Sequence, residues 1–167
     1  MATSMLIDPG ELIAAPAPVV FDCRFALADP DAGRGEYLAG HIPGAFHLDL
    51  NRDLSGPVGA HGGRHPLPEP AVFASLLAAC GVGPETEVVA YDNSRLAFAA
   101  RLWWLMRALG YRPPRLLDGG YQAWLDAGGT PATEVPAPTA VPAAHSLAQG
   151  LPGSYRGWCD IGGMRQA

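Results

Sequence analysis

Asp92-Asn93-Ser94-Arg95-Leu96 places an acid, an amide, a hydroxyl and a cation within five residues, at a point where backbone groups add chemistry of their own. Glu87–Tyr91 ahead of it reads as a short buried strand. Ala97–Leu109 behind it reads as a helix with Ala99, Leu102, Trp103, Met106 and Leu109 along one stripe. A tight loop from strand to helix N-terminus turns its N–H groups toward one spot, and the helix dipole favours negative charge there. A cysteine thiol in that cradle would be acidified and strongly nucleophilic. Asp92 fills it with a carboxylate instead, which can accept the N–H bonds but carries no sulfur. Arg95 has two readings. Its cation either neutralises Asp92 or points outward to an anionic ligand or partner.

The other reactive side chains have plainer readings. Cys23, Cys80 and Cys159 are spaced too widely for a metal pattern and are odd in number for a disulfide set. Cys23, at the end of the first strand, and Cys80, at the end of a helix, read as small buried hydrophobes. His61 and His65 have the i, i+4 spacing of zinc ligands, but Gly62 and Gly63 deny them the helix that this spacing requires, so no metal is expected. Asp22 and Arg24 read as a local ion pair. His41 reads as a structural loop residue rather than a general base, and Trp103, Trp104 and Trp124 as core or groove-lining aromatics.

The elements that must position these residues alternate. Strands are expected at Val19–Asp22, Ala45–Leu48, Glu87–Tyr91 and Arg115–Leu117, and helices at Gly35–Ala39, Pro70–Cys80, Ala97–Leu109 and Gly120–Ala127. Alternation of this kind implies an α/β fold, a mainly parallel sheet with helices on both faces. Gly110, Gly128 and Gly129 fall where C-caps are needed, and Glu69-Pro70 suits a helix start. The domain is expected over residues 1–130. From Pro131 to Ala167, Pro, Gly and Ala supply 17 of 37 residues without periodicity, which reads as a linker-like or weakly docked tail.

The 167 residues are 49% hydrophobic, enough for one domain with a real core. The net charge of -5 argues against nucleic acid as a partner, and all 11 basic residues are arginine. There is no stretch of roughly 18 apolar residues to cross a membrane, and no basic region followed by an apolar core to act as a leader. A cytoplasmic protein is therefore expected.

Four segments carry a family resemblance: Gly40-His41-Ile42-Pro43-Gly44-Ala45, Gly63-Arg64-His65-Pro66-Leu67-Pro68, the Tyr91-Asp92 loop with Ala99-Ala100-Arg101-Leu102-Trp103-Trp104, and Leu117-Asp118-Gly119-Gly120-Tyr121-Gln122-Ala123-Trp124. In this order they resemble a rhodanese domain over roughly Val19 to Pro131, and within that superfamily the first half of tandem thiosulfate or 3-mercaptopyruvate sulfurtransferases. The resemblance implies a three-layer domain that needs no cofactor. It also implies a first half with Tyr-Asp at this loop, the second half carrying the nucleophile in Cys-x-x-Gly-x-Thr/Ser. Asp92 then holds the family's nucleophile position, and Asp92, Asn93, Ser94, Arg95, Leu96 and Ala97 form an active-site-like loop. Asn93–Ala97 lacks the glycine of the active pattern, which predicts fewer converging N–H groups. Cys159-Asp160-Ile161-Gly162-Gly163 echoes the active pattern only superficially, because no apolar strand precedes it and no helix follows.

Three functions fit this reading. The chain could be a catalytically silent structural and interface half of a sulfurtransferase, partnered by a catalytic rhodanese domain or by itself. It could instead be an active sulfurtransferase that uses Cys159 or Cys23. The third possibility is a stand-alone binding or regulatory module. A phosphatase variant is disfavoured because the Cys-x5-Arg spacing occurs only at Cys159–Arg165, where no apolar strand precedes the cysteine and no helix follows it.

Overall fold

The structure, a computed structural model, describes residues 4–15 and 19–138. The elements run β1 (Leu6–Ile7), α1 (Pro9–Ala14), β2 (Val19–Asp22), α2 (Ala32–Ala39), β3 (Phe46–His47), α3 (Pro70–Ala79), β4 (Val88–Tyr91), α4 (Ala99–Ala108), β5 (Arg115–Leu117) and α5 (Gly120–Asp126). Five strands pair in parallel in the order β1-β5-β4-β2-β3. The expected α/β fold is present.

Side-chain alternation along the strands divides the core into two layers. Phe21, Val88, Ala90 and Leu116 face α3 and α4, where Phe73, Leu77, Leu102, Leu105 and Met106 are buried. Val20, Val89, Tyr91, Ile7 and Leu117 face the other way, onto Leu12 of α1 and Trp124 of α5. β4 lies in the middle of the sheet and is buried along its whole length, as VVAY. Because β2 pairs with β4 from Val19↔Val88 to Asp22↔Tyr91, the two strands end level at their C-terminal edge. That edge is where ligand-binding loops collect in open parallel sheets.

Several elements differ from the sequence reading. β1 and α1 were not anticipated: a two-residue strand has no periodicity to detect, although Asp8 caps α1 by accepting from Gly10 and Glu11 N–H, and Pro9 occupies its first turn. α2 begins at Ala32 rather than Gly35, and β3 is confined to Phe46–His47. α4 begins two residues later than expected, at Ala99, with Phe98 as its N-cap and the Phe98 and Ala99 N–H groups donated to Asp92. Leu105 is fully buried on α4, while Trp103 is only half-buried. Trp124 is a core residue.

The first residues of the expected tail are tied down. His41 and Ala132 exchange two backbone hydrogen bonds of 2.9 Å, forming an isolated antiparallel bridge. Cys159 and the apolar residues Leu147, Leu151, Tyr155, Trp158 and Ile161 lie outside the described residues. Among the described residues no helix is long and apolar enough to cross a membrane.

Candidate functional site

Asp92 follows directly on β4 and is fully buried. One carboxylate oxygen, Oδ1, accepts the backbone N–H of Ser94 at 2.8 Å and of Leu96 at 2.9 Å. The other, Oδ2, accepts from Phe98 at 2.9 Å and Ala99 at 3.0 Å. Four N–H donors thus converge on one anion at the start of α4, the arrangement expected of a strand–loop–helix cradle. Arg95 (φ 55) and Leu96 (φ 67) adopt left-handed backbone in place of the missing glycine. Non-glycine residues take that conformation at a cost of about 1–2 kcal/mol each, which the four bonds to a buried carboxylate offset.

The loop is fixed from outside as well. Asn93 is exposed and donates its side-chain amide to Glu36 at 2.7 Å. Ser94 is half-buried, and its backbone carbonyl accepts from Ala97 N–H at 3.2 Å. Leu96 is half-buried against the α3–α4 core. Arg95 is exposed, and among the described residues no ion pair joins it to Asp92. Arg95 therefore does not neutralise Asp92, and its side chain is open to solvent.

Next to the cradle, Asp22 and Arg24 form the expected ion pair, with both residues buried. Arg24 Nε lies 2.9 Å and Nη2 2.6 Å from Asp22 Oδ2. The same oxygen accepts the Tyr91 hydroxyl at 2.7 Å, and Arg24 also donates to the Gly40 carbonyl at 2.7 Å. Its guanidinium sits 4.1 Å from the centre of the Tyr121 ring. Burial alone would make Arg24 less basic, but the Asp22 hydrogen bond and charge outweigh it and raise its pKa. Burial, followed by the Asp22 charge, drives the Tyr91 hydroxyl far above its ordinary range, so it serves as a donor and not as an acid.

The candidate nucleophiles fare poorly. Burial and the negative charges of Asp22, Asp92 and Asp53 push the Cys23 thiol well above its usual value. Burial, with a contribution from Asp53, pushes Cys80 to about 11. Both are free and buried. Each therefore stays a protonated thiol near neutral pH, with little nucleophilic character. His41 is buried, with Nδ1 2.7 Å from the Tyr37 carbonyl and Nε2 2.9 Å from the Glu134 carbonyl. Neither ring nitrogen is available as a base, so the residue fastens the loop and the chain after Pro131 to α2. Gly62 and Gly63 take φ of 96 and 67, so His61 and His65 share no helix. Among the described residues no group of three His, Cys, Asp or Glu is placed to hold a metal ion.

The sequence reading missed a cleft of about 380 Å³ lined by Phe25, Leu27, Asn51, Val58, Arg64 and His65. It adjoins the cradle, since Phe25 packs edge-on against Phe98 with ring centres 5.5 Å apart. Arg101 holds one wall by donating to the carbonyls of Leu54, His65 and Pro66. His65 Nδ1 is buried with no hydrogen-bond partner among the described residues. Burial, then the Arg101 and Arg64 charges, lowers the His65 pKa. In the sequence this segment was marked by the Gly63–Pro68 resemblance and by the His61/His65 spacing, neither of which indicates a cleft.

A parallel α/β domain with an anion cradle at the C-terminal end of its central strand is the architecture of the rhodanese fold. Residues 10–127 match the rhodanese-like domain family, and the chain belongs to it. A probable 3-mercaptopyruvate sulfurtransferase of Pseudomonas aeruginosa is 49% identical over 133 residues, 77% of this chain and 47% of that protein. A putative thiosulfate sulfurtransferase of Mycobacterium tuberculosis is 42% identical over 130 residues, 75% of this chain and 45% of that protein. Among solved structures, 3-mercaptopyruvate sulfurtransferase from Leishmania major superposes with a TM-score of 0.79 at 30% identity, over 90% of this chain and 41% of that one. The chain spans about half the length of these curated relatives.

Proposed function

We propose that this chain is the catalytically silent first domain of a sulfurtransferase of the thiosulfate or 3-mercaptopyruvate type, a structural and interface half that works with a catalytic rhodanese domain. The observation that carries the reading is the Asp92 carboxylate filling the cradle with four backbone N–H bonds. In the family resemblance this is the nucleophile's place, and a carboxylate there cannot form a persulfide. Cys23, buried and held protonated, offers no substitute. A cytoplasmic setting suits the free thiols of Cys23 and Cys80.

The surface a partner would cover is the one beside the cradle. Leu27 and Val58 edge the cleft and are 59% and 72% exposed, an unusual outlay of apolar surface next to a family ligand-binding edge. The catalytic domain, on the same chain or separate, is the partner this reading assigns to it, and self-association is what an isolated half would show instead.

Purified chain incubated with cyanide and either thiosulfate or 3-mercaptopyruvate should form thiocyanate no faster than a heat-denatured control. Turnover abolished by Cys23→Ser or Cys159→Ser would overturn the silent-domain reading. Sedimentation over a wide concentration range, with and without an added catalytic rhodanese domain, tests the interface. A strictly monomeric species indifferent to that domain would leave a stand-alone binding module as the better reading.

A further inference from the structure

Arg112-Pro113-Pro114-Arg115 leads into β5, and Trp103 and Arg107 lie one turn apart on α4. Together with Ser4 and Met5, just before β1, these residues line a groove of about 370 Å³. In a parallel sheet the residues that enter β1 and β5 gather at the N-terminal edge, so the groove is at the opposite end of the domain from Asp92. The two prolines fix φ and give it a stiff wall. The Arg107 guanidinium sits 5.1 Å from the centre of the Trp103 ring, which holds a cation against flat apolar surface.

The charge here runs against that of the whole chain. Net charge is -5, yet three of the 11 arginines line this one groove. Among the described residues no acidic side chain pairs with Arg107 or Arg112. Arg115 is paired with Glu11 and also donates to the Leu6 carbonyl at 3.0 Å, but its Nε is buried with no acceptor. The groove's size is that of a small-molecule site, mostly apolar with a few convergent polar groups.

We propose that this groove binds a small organic anion with a flat apolar body, its acidic group held by Arg107 and Arg112 and its body laid against Trp103, Pro113 and Met5. The site is independent of the Asp92 cradle, and its existence does not depend on whether the domain is catalytically silent.

The probe is naphthalene-2-sulfonate, titrated into the ¹⁵N-labelled full chain, with 2-naphthalenemethanol and inorganic sulfate as controls. The expected result is saturable shifts of the Trp103 indole N–H and the Arg107 and Arg112 amides, with the amides of Ser94, Leu96 and Phe98 unmoved. The sulfonate should bind at least about tenfold more tightly than either control, since both charge and flat body are needed. Arg107→Ala combined with Arg112→Ala should weaken it by about the same factor while the rest of the spectrum stays in place. Because both side chains are solvent-accessible at the groove, the variant is expected to fold. Arg107→Gln with Arg112→Gln removes the charges and keeps the side-chain length, should the alanine pair fail to fold. Equal binding of either control, shifts confined to the Asp92 end, or full affinity in the charge-free variant would each overturn the proposal.

Discussion

A Cβ placed on Gly120 would stand 2.3 Å from the backbone carbonyl oxygen of Asp92. The same carbonyl accepts the Tyr121 N–H at 3.1 Å, so the turn into α5 presses directly against the residue that fills the cradle. Gly120 also has a φ of 66, which a side chain disfavours even where there is room. The Asp118-Gly119-Gly120-Tyr121 segment therefore shapes the site although it contributes no donor to the Asp92 carboxylate.

Gly120→Ala is accordingly expected to destabilise the domain by about 3 kcal/mol or more, the sum of left-handed strain and a backbone clash. It should also shift the amide resonances of Ser94, Leu96 and Phe98 in the folded fraction. Urea denaturation with an ¹⁵N spectrum measures both effects. Unchanged stability would mean that α5 can move away from β4 at little cost.

The second prediction concerns what the carboxylate does. Asp92→Ala leaves four buried N–H groups without their acceptor and should cost about 3–5 kcal/mol. Asp92→Asn keeps the shape but replaces one accepting oxygen with a donor, facing two N–H groups with like polarity, for a loss of about 2 kcal/mol. A thiol introduced by Asp92→Cys, with Cys159→Ser to remove the third native thiol, should ionise below the ordinary value of about 8.5, because the N–H donors favour the thiolate more than burial opposes it. Absorbance at 240 nm against pH reports the thiolate, and Cys23 and Cys80 stay silent in that range because burial raises both. An ordinary or raised value would show that desolvation wins in this cradle.

How much of this was legible in the sequence depends on the kind of signal involved. β2, β4 and β5 are runs of buried residues, and α3 and α4 carry long apolar stripes, so burial itself wrote them into the chain. β1 and α1 are too short for such a pattern. Asp92 could be read as the filler of a cradle from strand–loop–helix order, but the count of N–H donors could not, because it depends on Arg95 and Leu96 accepting a conformation their residue types disfavour. The Asp22–Arg24 pair is two residues apart and was readable. Its links to Tyr91, Gly40 and Tyr121, which make it the support beneath the loop, depend on which strands lie side by side. The cleft at Arg64 and His65 and the groove at Trp103 are assembled from separate segments and left no local pattern.

Left-handed strain in the loop gives a third prediction. Arg95 is exposed with a φ of 55, so Arg95→Gly relieves strain while adding freedom to the unfolded chain, and stability should stay within about 1 kcal/mol of the parent. Arg95→Val introduces a β-branched side chain that fits this backbone worst and should be about 1–2 kcal/mol less stable than the glycine variant. Thermal unfolding of the two variants side by side is the check. Equal stability would show that the loop relaxes out of the left-handed region.

The last prediction is a pH dependence that belongs to His65. Burial, then the nearby Arg101 and Arg64 charges, lowers its pKa in the folded chain, whereas the unfolded chain titrates at the ordinary histidine value of about 6.5. Below that value the unfolded state takes up a proton that the folded state resists, so it holds more protons and ∂ΔG/∂pH of unfolding is positive. Stability is therefore complete above about pH 6.5 and falls as the pH drops through the window between 6.5 and the lowered folded value. His65→Gln, which cannot titrate, should flatten this part of the curve without changing stability at pH 8. Urea midpoints for the parent and His65→Gln between pH 5 and 8 make the comparison. Parallel curves for the two proteins would assign the acid sensitivity to other groups and remove His65 as its source.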